Sequence, residues 1–124
     1  MLIKRKKDPF KDYFSLPGGF VNEGETVEDA VRREAEEELL VEVEPIDILG
    51  VYSNPNWDPR GHIMSITFIV KIITGELKAG GGITELKWIE INNLDNIKLG
   101  FDHLKILSDY EIWKKNKGTY WSSK

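Results

Sequence analysis

The chain predicts an α+β domain, a mixed β-sheet with helices packed on its faces. Two observations carry this expectation. Short apolar and β-branched runs alternate with turn residues, while two segments show apolar spacing at the helical period. The order is strand, strand, helix, strands, helix, which calls for a sheet covered by helices. With 124 residues, the whole chain, residues 1–124, fits one domain with one modest core.

The elements follow in order. Residues 2–5 read as a short strand and residues 6–12 as a polar loop. Phe14, Ser15 and Leu16 are extended and stop at Pro17-Gly18-Gly19. A helix should start near Thr26, a plausible N-cap, with Glu28 and Asp29 in the first turn where the helix dipole favours acid. It should run to about Leu40. Pro45 marks a turn, and residues 46–53 read as a strand. Residues 54–61, rich in Pro, Asn, Asp and Gly, form a loop. A long β-like run follows over residues 62–74. Gly80-Gly81-Gly82 reads as a flexible loop, and residues 86–91 as another strand. Leu104, Ile106, Leu107, Tyr110 and Trp113 recur at helical spacing, so residues 101–115 should form a terminal amphipathic helix.

Composition excludes several classes. Hydrophobic residues make up 40 % of the chain, too many for disorder by composition. The longest apolar stretch, around residues 63–73, is broken by Ser65, Thr67 and Lys71, so no bilayer-spanning segment is expected. The basic start lacks the apolar region of a signal peptide. There is no cysteine, hence no disulfide and no thiolate-bound metal. These features are compatible with a cytoplasmic protein. The net charge of −4 argues against nucleic acid as a partner.

The first helix carries the chemistry. On a wheel turning about 100° per residue from Val27, Val31, Ala35 and Leu39 fall near 40°, 80° and 120°, and Ala30 near 300°. Glu34, at about 340°, and Glu38, at about 20°, lie inside that apolar arc, and Glu37 borders it at about 280°. Buried carboxylates are costly unless they are paired or hold a metal. Glu34 and Glu38 stand one turn apart, where like charges repel. A divalent cation would turn that repulsion into attraction, and oxygen-only ligands point to Mg²⁺ or Mn²⁺. The alternatives are a solvated acidic run and salt bridges to Lys or Arg.

Residues 19–41 resemble the Nudix box, G-x5-E-x7-R-E-U-x-E-E-x-G-U, where U is aliphatic. Gly19 matches its first glycine, Glu25 its first acid, and Arg33-Glu34, Glu37-Glu38 and Val41 the remainder. The preceding Leu16-Pro17-Gly18-Gly19-Phe20 is also similar to the family. The resemblance implies a Nudix-like α/β/α sandwich whose mixed sheet lies between helices, here without the usual first N-terminal strand. It also implies that Glu34, Glu37 and Glu38 bind the metal with the main-chain carbonyl of Gly19, and that Arg33 and Glu25 form a structural ion pair. The implied reaction is attack of water on phosphorus. Glu37 or Glu34 is the favoured base, with Glu85 second, because Gly81 and Gly82 stand where acids are expected. Leu40 replaces the box's last glycine. A left-handed leucine costs roughly 1 kcal/mol or more, so the helix is expected to run on or the turn to be reshaped.

The segment from Tyr52 to His62, above all Asp58-Pro59-Arg60-Gly61-His62, is similar to a loop of the ADP-ribose pyrophosphatase branch. Phe101-Asp102-His103 adds to that likeness. Arg60 could take a phosphate, with Asp58 beside it, and Trp57, Phe14 or Tyr52 could stack on a base. An Asp58–Arg60 pair within an ordinary turn is the alternative. The expected substrate is a nucleoside diphosphate derivative, most of all ADP-ribose. Hydrolysis of modified nucleoside triphosphates and a non-catalytic nucleotide-sensing module are the competing readings. A missing first strand would expose a sheet edge, so a homodimer is expected.

Overall fold

The computed structural model describes all 124 residues. Strand β1 (Leu2–Arg5) lies at the centre of one three-stranded sheet, between β2 (Phe14–Ser15) and β5 (Ile83–Lys87), antiparallel to both. A second sheet places the long β3 (Glu42–Tyr52) between antiparallel β4 (Ser65–Thr74) and β6 (Tyr120–Trp121), which runs parallel to β3. Helix α1 (Val27–Leu39) joins the first sheet to the second, and α2 (His103–Asn116) follows a short 3₁₀ turn, Ile91–Asn96. The expected α+β class is what forms.

Two apolar clusters organise these elements. Ala35 and Leu39 of α1 pack with Ile3, Ile83, Val41 and Val43. Ile106 and Trp113 of α2 pack with Leu49, Tyr52 and Tyr120. Strand β3 belongs to both, with Val43 in the first cluster and Leu49 and Tyr52 in the second. A buried polar knot locks the second cluster. The Tyr52 hydroxyl donates to Asp109 Oδ2 at 2.8 Å, and Lys105 Nζ reaches both Asp109 oxygens at 2.7 Å.

Several expected boundaries move, each for a physical reason. Strand β3 starts at Glu42 and runs through Pro45, where a turn was expected. The register shifts between Pro45 and Asp47, and such an irregularity tolerates a residue that cannot donate to the ladder. Strand β4 starts at Ser65 rather than residue 62. Strand β5 covers Ile83–Lys87 instead of residues 86–91, because it pairs with the four residues of β1; Ile91 then opens the 3₁₀ turn. Strand β6, only two residues long, carried no readable period in the sequence.

The end of α1 resolves the expectation for Leu40. The helix does not run on. Leu40 takes the left-handed conformation itself, φ 57° and ψ 34°, and its N–H bonds back into the last turn. Residues 78–81, which include two of the three glycines (Gly80-Gly81-Gly82) expected to form a flexible loop, cap the same end. The N–H groups of Lys78, Gly80 and Gly81 donate to the carbonyls of Leu39, Glu38 and Glu37 at 3.0, 2.8 and 3.1 Å. These are carbonyls that the helix itself cannot satisfy. A Cβ on Gly80 would collide with the Glu37 carbonyl, so the close approach requires glycine.

Candidate active site

Thr26 caps α1 by accepting the Asp29 N–H at 3.1 Å, which sets the phase of the helix. That phase buries Ala30, Ala35 and Leu39 and leaves Glu34 and Glu38 half-buried, with Glu37 exposed. Both inner glutamates reach the Gly18-Gly19 loop. Glu38 Oε1 accepts the Gly18 N–H at 2.7 Å. Glu34 packs its carboxylate against Gly19, where a Cβ would occupy the same space. A side chain at Gly19 would displace the Glu34 carboxylate from its place against the loop.

Arg33 braces this arrangement from the solvent side. Its Nε and one terminal nitrogen hold Glu25 at 2.8 and 3.0 Å, and the latter also donates to the Phe20 carbonyl at 2.9 Å. The other terminal nitrogen reaches Glu34 at 2.7 Å and Glu37 at 3.2 Å. The hydrogen bond from Arg33 holds the Glu25 carboxyl below its usual range, with the Asn22 N–H as a second cause. Arg33 is raised in turn, by Glu25 first and Glu34 second. Glu38 behaves differently. Burial pushes its carboxyl up to about 7, Glu34 and Glu37 reinforce that, and the Gly18 N–H and Arg5 oppose it.

The three carboxylates do not converge on one point in this structure. Glu34 and Glu37 turn to Arg33, and Glu38 to Gly18. The donor set nevertheless fits a hard divalent cation: oxygens only, with two carboxylates against one glycine loop whose main-chain carbonyls are further oxygen donors.

Around the same loop gathers a cationic side. Asp58 holds Arg60 through both carboxylate oxygens, with a shortest distance of 2.7 Å. That pairing lowers Asp58 and raises Arg60. The Arg60 guanidinium lies 4.9 Å from the Phe20 ring and 5.5 Å from the Phe101 ring. Arg5 lies over the same Phe101 ring at 4.9 Å, with its Nε donating to the Pro9 carbonyl at 2.6 Å. Burial lowers the Arg5 pKa, followed by repulsion from Arg60. Arg5 was not identified as a site residue from the sequence; its place in the strand next to the glycine loop is the signal that could have found it.

Other expected site residues lie elsewhere. Tyr52 cannot stack on a base, because it is 1 % exposed and its hydroxyl is tied to Asp109. Ser15 sits opposite Ile3, which packs on α1, so Phe14 points to the other face of the sheet, where Lys87 covers its ring at 5.8 Å. Glu85 pairs with Lys4 on that same far face, while its neighbour Leu86 packs towards α1. It therefore points away from the helix glutamates. Trp57 is half-buried in the Asp58–Arg60 loop.

Comparison with known proteins bears on the family and the fold. A family model described as NUDIX domain matches residues 1–110. The chain therefore belongs to the Nudix family. It is 55 % identical over 114 residues to an ADP-ribose pyrophosphatase of Methanocaldococcus jannaschii, an alignment that spans 92 % of this chain and 66 % of that one. It is 36 % identical over 95 residues to a putative 8-oxo-dGTP diphosphatase of Bacillus subtilis, spanning 76 % of this chain and 59 % of the relative. The chain thus spans about two thirds or less of these relatives' lengths. Among solved structures, the Nudix domain of Shewanella oneidensis NrtR, complexed with ADP ribose, superposes with a TM-score of 0.79. The match covers 92 % of this chain and 76 % of that one; at 24 % identity it speaks for the fold.

Proposed function

We propose that this chain hydrolyses the phosphoanhydride bond of a nucleoside diphosphate derivative, with ADP-ribose cleaved to AMP and ribose 5-phosphate. The observation that carries the reading is the meeting of Glu34 and Glu38 with the Gly18-Gly19 loop, beside two guanidiniums that could take the diphosphate. The relative at 55 % identity supports the choice of ADP-ribose. Glu34, Glu37, Glu38 and the Gly19 carbonyl would hold Mg²⁺, or Mn²⁺ in its place. When bound, the cation neutralises phosphate oxygens and lowers the pKa of its water.

The chain's own residues do the rest. Arg33 and Glu25 fix the glycine loop against the helix. Glu37 or Glu34 takes the proton of the attacking water as the new P–O bond forms and the bridging P–O bond breaks; Glu85 points away from them. Arg60, set by Asp58, presents its charge beside the loop, with Trp57 next to it. The likeness to a putative 8-oxo-dGTP diphosphatase supports a second reading, hydrolysis of modified nucleoside triphosphates.

The active form is a homodimer of single-domain protomers in the cytoplasm. Strand β4 is paired on one side only and exposes Val70, Ile72 and Ile73 by 39, 44 and 49 %, an edge that invites a second chain. No helix is long and apolar enough to cross a membrane.

One experiment tests this reading. Size-exclusion fractions weighed by light scattering are assayed with ADP-ribose and Mg²⁺, for the wild type and for Glu38→Gln. AMP and ribose 5-phosphate should form in the fraction of dimer mass, and Glu38→Gln should lower turnover by roughly 10³-fold, about 4 kcal/mol of barrier. Equal turnover by the variant sinks the metal assignment. A nucleoside monophosphate and pyrophosphate, formed from triphosphates while ADP-ribose stays intact, would replace the substrate. Activity confined to monomer mass would remove the dimer.

A further inference from the structure

In the Phe101-Asp102-His103 corner, Phe101 carries the two guanidiniums. His103 has no part in the function proposed above, yet it is bonded to the strand end that leads into the glycine loop. Strand β2 is hydrogen-bonded along its outer edge to residues 98–100. Phe14 N–H donates to the Lys98 carbonyl at 2.8 Å, and Gly100 N–H donates to the Phe14 carbonyl at 2.9 Å. The next N–H on that edge belongs to Leu16, directly before Pro17-Gly18-Gly19. No carbonyl is left for it, because the chain swings away at Phe101, whose φ of 56° is the left-handed region that L residues seldom adopt. His103 substitutes for the missing carbonyl: the Leu16 N–H donates to His103 Nδ1 at 2.9 Å.

That bond fixes the chemistry of the ring. A backbone N–H can only donate, so Nδ1 must accept, and the ring is neutral with its proton on Nε2. Burial, and then the nearby charge of Arg5, keep it neutral down to about pH 4. Nε2–H has no partner in the protein and is not sealed from solvent. The two ring nitrogens point in diverging directions, so this donor faces away from Leu16. The ring lies 5.2 Å from that of Phe101, which also carries Arg5 and Arg60. Asp58 neutralises Arg60, whereas Arg5 has no carboxylate at ion-pair distance. An oriented neutral donor therefore stands beside two guanidiniums, Arg60 paired with Asp58 and Arg5 in the weaker field of Glu38 and Asp58, a combination suited to an anionic oxygen.

We propose that His103 is a substrate-binding residue, its Nε2–H donating a hydrogen bond to a phosphate oxygen of the diphosphate while Nδ1 holds the glycine loop. This rests on the proposed function, since it takes the diphosphate to lie between the helix glutamates and the arginines. A side chain needed only to satisfy Leu16 would require a single acceptor. The imidazole supplies that acceptor and also an opposed donor.

His103→Asn separates the two roles, because the asparagine Oδ1 can occupy the place of Nδ1 while nothing replaces Nε2–H. The variant should keep the wild-type melting temperature and Mn²⁺ affinity. Its KM for ADP-ribose should rise roughly 10- to 100-fold, as for a lost hydrogen bond to a charged group, with a smaller change in kcat. An unchanged KM in a folded His103→Asn overturns the contact. If the variant does not fold, the wild type decides. The ¹⁵N–¹H signal of His103 Nε2 should shift, and exchange more slowly, on adding α,β-methylene ADP-ribose with Mg²⁺; an unmoved signal overturns the contact. Wild-type protein that neither cleaves nor binds ADP-ribose sinks the proposed function together with this contact. Cleavage by the wild type with an unaltered His103→Asn sinks the contact alone.

Discussion

The two sides of the site are built in opposite ways. The acidic side comes from one helix. Glu34, Glu37, Glu38 and Arg33 sit within thirteen residues whose phase is set by one cap at Thr26. The cationic side comes from separate stretches of chain. Arg5, Asp58 with Arg60, and the Phe101–His103 corner meet around one aromatic ring. A site built on one helix leaves a period in the sequence. A site assembled from loops and strand ends leaves only isolated residues, whose roles depend on which segments the fold brings together.

Breaking each side in turn should show this difference, with the largest effect on the acidic side. Arg33→Gln removes hydrogen bonds to Glu25, Glu34, Glu37 and the Phe20 carbonyl. Mn²⁺ affinity should fall by roughly 10- to 100-fold, as when groups that orient metal ligands are lost. Arg60→Gln should leave that affinity unchanged and act on KM alone. Equal losses in a Mn²⁺ titration would erase the distinction between the two sides.

A smaller, graded effect comes from Glu38. Its carboxyl titrates near 7 in the metal-free protein, so it carries a proton on the acid side of neutrality that a metal must displace. Metal affinity should rise with pH up to about 7 and then level off as this proton is lost. The sign for folding is the reverse. A raised carboxyl pKa means that the native state binds more protons than the unfolded one between the ordinary carboxylate range and 7. The metal-free fold therefore loses stability as pH rises through that window. Calorimetry in buffers of different ionisation enthalpy counts the released proton, and a flat affinity from about pH 5 to 8 would contradict the assignment.

The smallest effect sharpens the comparison at the helix end. Leu40 is left-handed and half-exposed, so glycine there should relieve backbone strain while losing little burial. Leu40→Gly should stabilise the fold by about 1 kcal/mol and raise the melting temperature by a few degrees. A lower melting temperature would show that the leucine side chain contributes more by packing than its backbone costs.

The helix cap and the half-buried glutamates were legible in the sequence, because Thr26 marks the helix start and the helical period ties residue number to direction; the Arg33–Glu25 pair followed only from the resemblance to the Nudix box, since Glu25 precedes the helix. The same logic failed for Phe14, Glu85 and Tyr52. In a strand, a shift of one residue reverses the face, and only the pairing of β1 with β2 and β5 showed which face meets α1. Gly80 and Gly81 carried no signal of their role as a helix cap, since the carbonyls they satisfy lie some forty residues earlier in the chain. His103 is the clearest case. The sequence held the residue, but its tautomer follows from one hydrogen bond to Leu16, 87 residues away. Local periodicity thus placed the acidic helix and the direction of its carboxylates, while the reaction class came from the resemblance to the Nudix box. Long-range pairing decided which cations, aromatic rings and neutral donors stand around it, because their directions exist only once the segments have met.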